Sequence, residues 1–475
     1  MRRKKKNIVL EKLLVSDYAA EGKSLARVEG KVIFIENVVP GDVVDVRLLK
    51  NKKDWAEGVP VFTHSYSADR VQPFCRHFGI CGGCQWQMLP YAKQLEYKFR
   101  QVEETLKRIG KVALPPSLPI IGAAGTTHYR NKIEYTFGNK RYLTREELGD
   151  ESQSSEADVA GFHAKGLFDK VVDIQECHLQ EAPTNEIRLA VKELAIANGW
   201  PFYDIKNHHG FLRTMQVRLC TTGELMVNIM VGENDAEKIN RLMEEVAARF
   251  PSITTLLYTI NTKWNDSLHD LEPVVYSGKG YVVEELRTAT DGKSYRFKIG
   301  PKSFFQTNTK QAERLYQITN EFAGLTGNET VYDLYCGTGS IGIFVSGGAK
   351  KIIGVEMIPA AIEDAKENAA LNGITSADFF AGDVADICTP GFFATHGRPD
   401  VIITDPPRAG MHEKLVRQIL DMAAPTVVYV SCNPATQARD LNLLDEKYAV
   451  TMVQPVDMFP HTHHIENVVQ LKLKF

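Results

Sequence analysis

The run 330-TVYDLYCGTGS-340 decides the fold. Residues 330–335 read as a buried strand, and Cys336-Gly337-Thr338-Gly339-Ser340 reads as a tight turn entering a helix. Working outward, 351-KIIGV-355 is a second strand that ends in the acid Glu356. A helix is expected over Pro359–Asn372, stopped by Gly373, because glycine takes the left-handed conformation cheaply. A third strand ends near Gly382-Asp383, and a fourth, 401-VIIT-404, ends in Asp405-Pro406-Pro407-Arg408. Strands alternating with helices predict a doubly wound, Rossmann-like parallel sheet over 301–475. In such sheets ligands bind at the carboxyl ends of the strands.

The next strand, in 427-VVYVSCNPATQARDL-441, stops abruptly at Ser431-Cys432-Asn433-Pro434 before a helix-like stretch, which puts one thiol where ligands are held. A free cysteine more often serves as a small core hydrophobe. What sets Cys432 apart is the carboxylate Glu466 in 461-HTHHIENVV-469, on a strand-like run that can pair back into the sheet. Glu466 alone would read as a surface carboxylate. The histidines at 461, 463 and 464 are expected to hydrogen-bond the rim of the site rather than to bind metal.

Three successive strand-end acids, Glu356, Asp383 and Asp405, suit a nucleoside cofactor. The glycine turn lacks a full GxGxxG, and no basic residue awaits a pyrophosphate. S-adenosylmethionine therefore fits better than NAD. Arg408 stands where an enzyme methylating exocyclic amines would carry an aromatic after Asp-Pro-Pro. With a cysteine ending the following strand, the chemistry indicated is thiolate addition to a pyrimidine C6, which makes C5 nucleophilic; a base must later remove the C5 proton. Cys432 would need a cation or a helix N-terminus nearby to ionise.

Upstream, 75-CRHFGICGGCQW-86 sets Cys75, Cys81 and Cys84 in a glycine-rich loop that core packing does not require. Cys177, in 171-VVDIQECHL-179, is the best fourth ligand, whereas Cys220 lies in a strand-like run. Four thiolates suit either structural zinc or an iron–sulfur cluster, and the residues alone leave the two open. The spacing is not the CxxxCxxC of radical enzymes that cleave S-adenosylmethionine.

The chain has 475 residues, 44% of them hydrophobic, enough for two or three cored domains. Its formal net charge is -3, yet residues 1–110 carry 20 Lys and Arg against 13 Asp and Glu. A basic front on a mildly acidic body suggests a polyanion partner at that end. Short alternating segments with Gly and Pro punctuation over 8–63 predict a small β-barrel within a first domain, 1–64. Lys50, Lys52, Lys53 and Trp55 gather charge and a stacking surface in one turn. A central domain, 65–300, reads as mixed α/β, with a helix near Tyr91–Ile109 and another over Thr309–Ala323 leading into the last domain. Arg130, Asn131 and Lys132 are candidate phosphate contacts, and 145–158 is an exposed acidic loop. No apolar run reaches membrane-span length, and the basic tip 1–6 lacks the apolar core of a signal peptide. A cytoplasmic protein whose eight cysteines are reduced or metal-bound is expected, with no obligate protein partner evident.

The set 304-FFQTN-308, 333-DLYCGTG-339, Asp-Pro-Pro-Arg, Ser-Cys-Asn-Pro and 464-HIEN-467 resembles the RNA (uracil-5-)-methyltransferase family, and 8–63 resembles its TRAM domain. The resemblance implies Cys432 as nucleophile, Glu466 as base, and cofactor contacts at Gln306, Tyr335, Ser340, Glu356, Asp383 and Asp405. Ser340 departs from the Asn that several relatives carry. The cysteines match the iron–sulfur-containing branch acting on 23S ribosomal RNA, which implies a 4Fe-4S cluster on Cys75, Cys81, Cys84 and Cys177. Transfer RNA is the alternative substrate, and a non-catalytic RNA-binding protein is the alternative class. A DNA cytosine-5 methyltransferase would carry a Pro-Cys pair, absent here.

Overall fold

A computed structural model of the chain describes residues 8–144, 146–289 and 292–474. The basic tip lies outside these. Six strands between Val9 and Ser65 form one sheet. Its two edge strands, Val9–Leu14 and Asp17–Tyr18, are consecutive in the chain with only two residues between them. The sheet must therefore curl until its edges approach, enclosing Leu13, Ile33, Ile35, Val44, Val46 and Ala56. Lys52 and Lys53 stand exposed on the turn before Trp55, while Lys50 pairs with Glu57 at 2.8 Å.

The central body is a seven-stranded sheet running from Val274–Gly278 at one edge to Val171–Asp173 at the other. Helices Thr184–Ala197 and Ala236–Arg249 pack on it and bury Ile187, Val191, Leu242 and Met243.

The C-terminal sheet has the order Ala377–Ala381, Lys351–Glu356, Thr330–Leu334, Val401–Thr404, Thr426–Ser431, Glu466–Leu473, Tyr448–Val456. The first five strands are parallel. Glu466–Leu473 inserts antiparallel between Thr426–Ser431 and Tyr448–Val456. Its strands are buried on both faces, as near-continuous apolar runs require. Helices Thr309–Ala323 and Pro359–Leu371 cover one face; Glu413–Met422 and Pro434–Leu444 cover the other.

Two upstream pieces join this body. Helix Tyr91–Thr105, continued by a wide turn Leu106–Gly110, sends Val102 and Leu106 into the same core as Leu441 and Leu444. The hairpin of Val282–Arg287 and Ser294–Ile299 buries Val282, Leu286, Tyr295 and Phe297 against the opposite face.

Candidate active site

The cofactor end of the site is built at the carboxyl edge of the parallel strands. Tyr335, Gly337 and Gly339 all have positive φ (62°, 55° and 77°), so the chain leaves its strand in a compact turn. For the two glycines this costs little; for Tyr335 it is a strained state held by the surroundings. The Glu356 carboxylate accepts from Gly337 N at 3.3 Å and Ile358 N at 3.0 Å, binding the turn to the neighbouring strand end. Asp383 caps helix Val384–Ile387 by accepting from Ala385 N at 2.7 Å. Ser340 Oγ and Tyr316 Oη are 2.9 Å apart, so the serine hydroxyl is already engaged. Gln306 stands two residues before Asn308, the N-cap of helix Thr309–Ala323. The Asp405 carboxyl lies half-buried just past the end of Val401–Thr404, and burial raises it from 3.8 to about 7.

Across the sheet, Ser431 is paired with Asn467. Ser431 ends its strand and Glu466 begins the partner strand, so Cys432 and Glu466 lie at the same end of this strand pair. The thiol is pushed up to about 12, first by burial, then by Glu466 and Asp405, with Arg408 opposing them. Glu466 is 6% exposed and is held well above its ordinary range by burial, with Asp405 adding to the effect. The thiol and the two carboxyls raise one another's proton affinity, so full ionisation of all three is penalised. Cys432 directly precedes Asn433, the N-cap of helix Pro434–Leu444, so the positive end of that helix and Arg408 are the groups favouring a thiolate. Asn433 also donates to the Arg408 carbonyl at 3.0 Å. Behind the pair, the buried side chains of Gln437 and Asn467 bond at 2.7 Å and join the nucleophile's helix to the carboxylate's strand.

Cys75, Cys81, Cys84 and Cys177 line one cavity of about 390 Å³. Burial raises all four thiols, Cys81 to about 12 and Cys84 to about 11, and their mutual repulsion adds to it. Cys220 is buried elsewhere, beside Arg218 and Glu284. Among the described residues no three His, Cys, Asp or Glu side chains converge closely enough to hold a single metal ion. Four soft donors on the wall of one cavity suit either zinc or an iron–sulfur cluster.

Arg130, Asn131 and Lys132 do not form the outward phosphate-binding face that the sequence suggested. Asn131 is buried and donates to the Gln306 carbonyl and to Thr309 Oγ1, both at 2.9 Å, clipping the central sheet to the catalytic body. Arg130 lies over the Phe459 ring at 5.3 Å, and it lines the thiol cavity together with Lys132. The segment runs between two packed bodies, so alternation with aromatics marked an interface rather than a surface. Burial lowers His461, His463 and His464 to about 4, so all three are neutral at pH 7.

Sequence reasoning missed Lys98 and Asp457, a wholly buried pair 2.6 Å apart, joined by Tyr91 Oη at 2.8 Å. It also passed over Asp333, an acid inside an apolar strand that accepts from Gly342 N at 2.8 Å. An ionisable residue in such a run was the available signal.

This sheet order, the glycine turn and the strand-end acids define an S-adenosylmethionine-dependent methyltransferase, here carrying an RNA-binding barrel. Residues 272–382 and 395–474 match the family described as tRNA (Uracil-5-)-methyltransferase, and residues 11–61 match the TRAM domain. A protein of Bacteroides thetaiotaomicron described as an uncharacterized RNA methyltransferase is 52% identical over 459 residues, 96% of this chain and 100% of the relative. One so described from Porphyromonas gingivalis is 50% identical over 464 residues, 96% of this chain and 98% of its own. The crystal structure of the Pyrococcus abyssi tRNA (uracil-54, C5)-methyltransferase in complex with S-adenosyl-L-homocysteine superposes with a TM-score of 0.73 at 28% identity, covering 97% of this chain and 100% of that one. The chain belongs to this family of RNA methyltransferases and is an enzyme. Among the described residues no helix is long and apolar enough to cross a membrane.

Proposed function

We propose that this chain methylates C5 of a uridine in RNA, with large-subunit ribosomal RNA as substrate, in the cytoplasm. The placement of Cys432 and Glu466 at the same end of one strand pair, close enough for the carboxyl to raise the thiol, supports the reading. Bound S-adenosylmethionine supplies an electrophilic methyl group, which uracil C5 is too weak a nucleophile to take unaided. The Cys432 thiolate adds to C6, and the electron pair released toward C5 forms the new bond to the methyl carbon as that carbon's bond to the sulfonium sulfur breaks, its electron pair staying on that sulfur. Glu466 then removes the C5 proton; the C5–H electrons restore the C5–C6 double bond, and the C6–S bond breaks to free Cys432. Glu466 must be ionised at that step, and burial beside Asp405, which raises its affinity for a proton, makes its carboxylate a stronger base than an exposed one. The target base must leave its stack first, at a cost of roughly a few kcal/mol.

Gln306, Tyr335, Ser340, Glu356, Asp383 and Asp405 are assigned to the cofactor, with Ser340 acting through its bond to Tyr316. Cys75, Cys81, Cys84 and Cys177 are assigned a 4Fe-4S cluster, a reading supported by their shared cavity. Work divides over 1–64 for RNA grip, 65–300 for the cluster and RNA contact, and 301–475 for chemistry. The four-cysteine set favours ribosomal RNA. The second reading, transfer RNA, is favoured by the similarity to the Pyrococcus abyssi enzyme along the whole chain.

Incubation with ribosomal RNA fragments and transfer RNA transcripts, followed by mapping of 5-methyluridine, tests both readings. Modification confined to transfer RNA would transfer the assignment to the second. Methylation at a position other than uridine C5 would refute both.

A further inference from the structure

The segments that carry the cavity thiols pack, at His461, on the loop that leads to Glu466. Phe74, the neighbour of Cys75, places its ring 5.1 Å from the His461 ring and 5.3 Å from that of His178, the neighbour of Cys177. Directly after Cys84, Gln85 N and Trp86 N both donate to the His461 carbonyl, at 2.8 and 3.0 Å. Gln94 accepts from His461 N at 2.8 Å, and its amide lies 3.2 Å from His461 Nδ1 while donating to the carbonyls of Trp86 and Leu89. His461 itself is 6% exposed and holds φ at 65°, a left-handed state costly for a residue with a side chain.

The loop on which it sits is anchored at its start. Asp457 is gripped by Lys98 and Tyr91, its carbonyl accepts from Gln311 Nε2 at 2.7 Å, and the Met458 carbonyl accepts from Asn308 Nδ2 at 2.8 Å. Five residues past His461, the chain delivers Glu466 at the first position of its strand. Cys432 is placed differently: its turn is fixed by Asn433 and Thr436, both donating to the Arg408 carbonyl, and by Ser431 Oγ accepting from Asn433 N. None of those bonds comes from the thiol-bearing segments.

We infer that His461 is a positioning residue through which the segment bearing Cys75 and Cys84 and the segment bearing Cys177 set the placement of Glu466, so that the state of the thiol cavity governs proton removal and product release while leaving attack by Cys432 intact. This rests on the assignment of Cys432 and Glu466 made above. It gives the four thiols a role in the catalytic cycle that is separate from RNA binding.

The two halves of the reaction separate with 5-fluorouridine RNA, in which the C5 fluorine cannot be abstracted and the methylated adduct stays on the protein. His461→Asn keeps a residue that tolerates the left-handed backbone and removes the ring; Gln94→Met removes the bonds and keeps the volume. In both, turnover on ordinary uridine RNA is expected to fall ~100-fold. Adduct formation with fluorinated RNA should stay within about threefold of the unaltered protein, and ordinary RNA should accumulate as methylated adduct. Cys84→Ala, with its iron content and melting temperature measured, is expected to show the same split. Parallel loss of adduct and turnover in these variants, or no loss in either, would overturn the coupling. If the unaltered protein forms no fluorinated adduct at all, the reading of Cys432 fails and the coupling goes with it.

Discussion

The protein has two thiol sites, and they differ in what faces the sulfur. Around the cavity of Cys75, Cys81, Cys84 and Cys177, thiols face one another, with the cations Arg130 and Lys132 also on the wall. In the other site a single thiol, Cys432, faces two carboxyls that resist ionisation, with Arg408 as the opposing cation. Burial raises every one of these sulfurs. Several soft donors around one space make a ligand set, whereas one donor beside a proton acceptor makes a nucleophile with its base. The neighbours, more than the sulfur or its burial, assign the chemistry.

The largest effect that could break this contrast is Cys432→Ala. Turnover and adduct formation should both fall by at least about 10⁴-fold, with the iron content unchanged. Retained activity would remove the nucleophile from its site. Next comes Glu466→Gln, expected to cut turnover ~10²- to 10⁴-fold while methylated adduct accumulates on ordinary RNA, as seen by denaturing gel and mass spectrometry. Normal release in that variant would place the base elsewhere.

A smaller effect follows from protonation. With Cys432 at about 12, the thiolate fraction rises tenfold per pH unit through the neutral range. Single-turnover adduct formation should therefore climb from pH 6 to 9, less steeply above 7, where Asp405 gains its charge and opposes the thiolate. A flat profile would mean that substrate binding, rather than the pocket, sets the thiol's ionisation.

The smallest effect concerns Asp333, a buried acid outside both thiol sites, whose pKa burial raises from 3.8 to about 7. Between those values the folded chain binds more protons than the unfolded one. The stability this contributes is complete below about 3.8 and is lost as pH rises toward 7, by an amount on the order of 2–4 kcal/mol. Asp333→Asn should flatten the dependence of melting temperature on pH over that window. An unchanged slope would show that Asp333 ionises freely.

Much of the candidate site could be proposed from the sequence because its residues sit where regular patterns break. The apolar run before Cys432 ends on Ser-Cys-Asn-Pro, and the acids Glu356 and Asp405 close apolar strands. The convergence of Cys177 with a loop about a hundred residues earlier was legible only as a missing ligand, since thiol chemistry asks for a fourth donor. What could not be read was packing across the chain. The helix Tyr91–Thr105 has a clear apolar face, but an apolar face does not name the body it will cover. Its Lys98 meets Asp457 at a separation of 359 positions, which no local pattern announces. Asn131 misled for a related reason: a polar residue beside cations suggests a surface until its partners, Gln306 and Thr309, are brought to it.

The contrast between the two thiol sites rests on the sulfur at 432 bonding to a pyrimidine. The most direct measurement is mass spectrometry of peptides from the protein incubated with S-adenosylmethionine and RNA carrying 5-fluorouridine at the target position. The expected result is one modified peptide, bearing a methylated fluoropyrimidine nucleotide on Cys432, with Cys75, Cys81, Cys84 and Cys177 untouched. Modification at one of those four cysteines, or none at Cys432, would contradict the account.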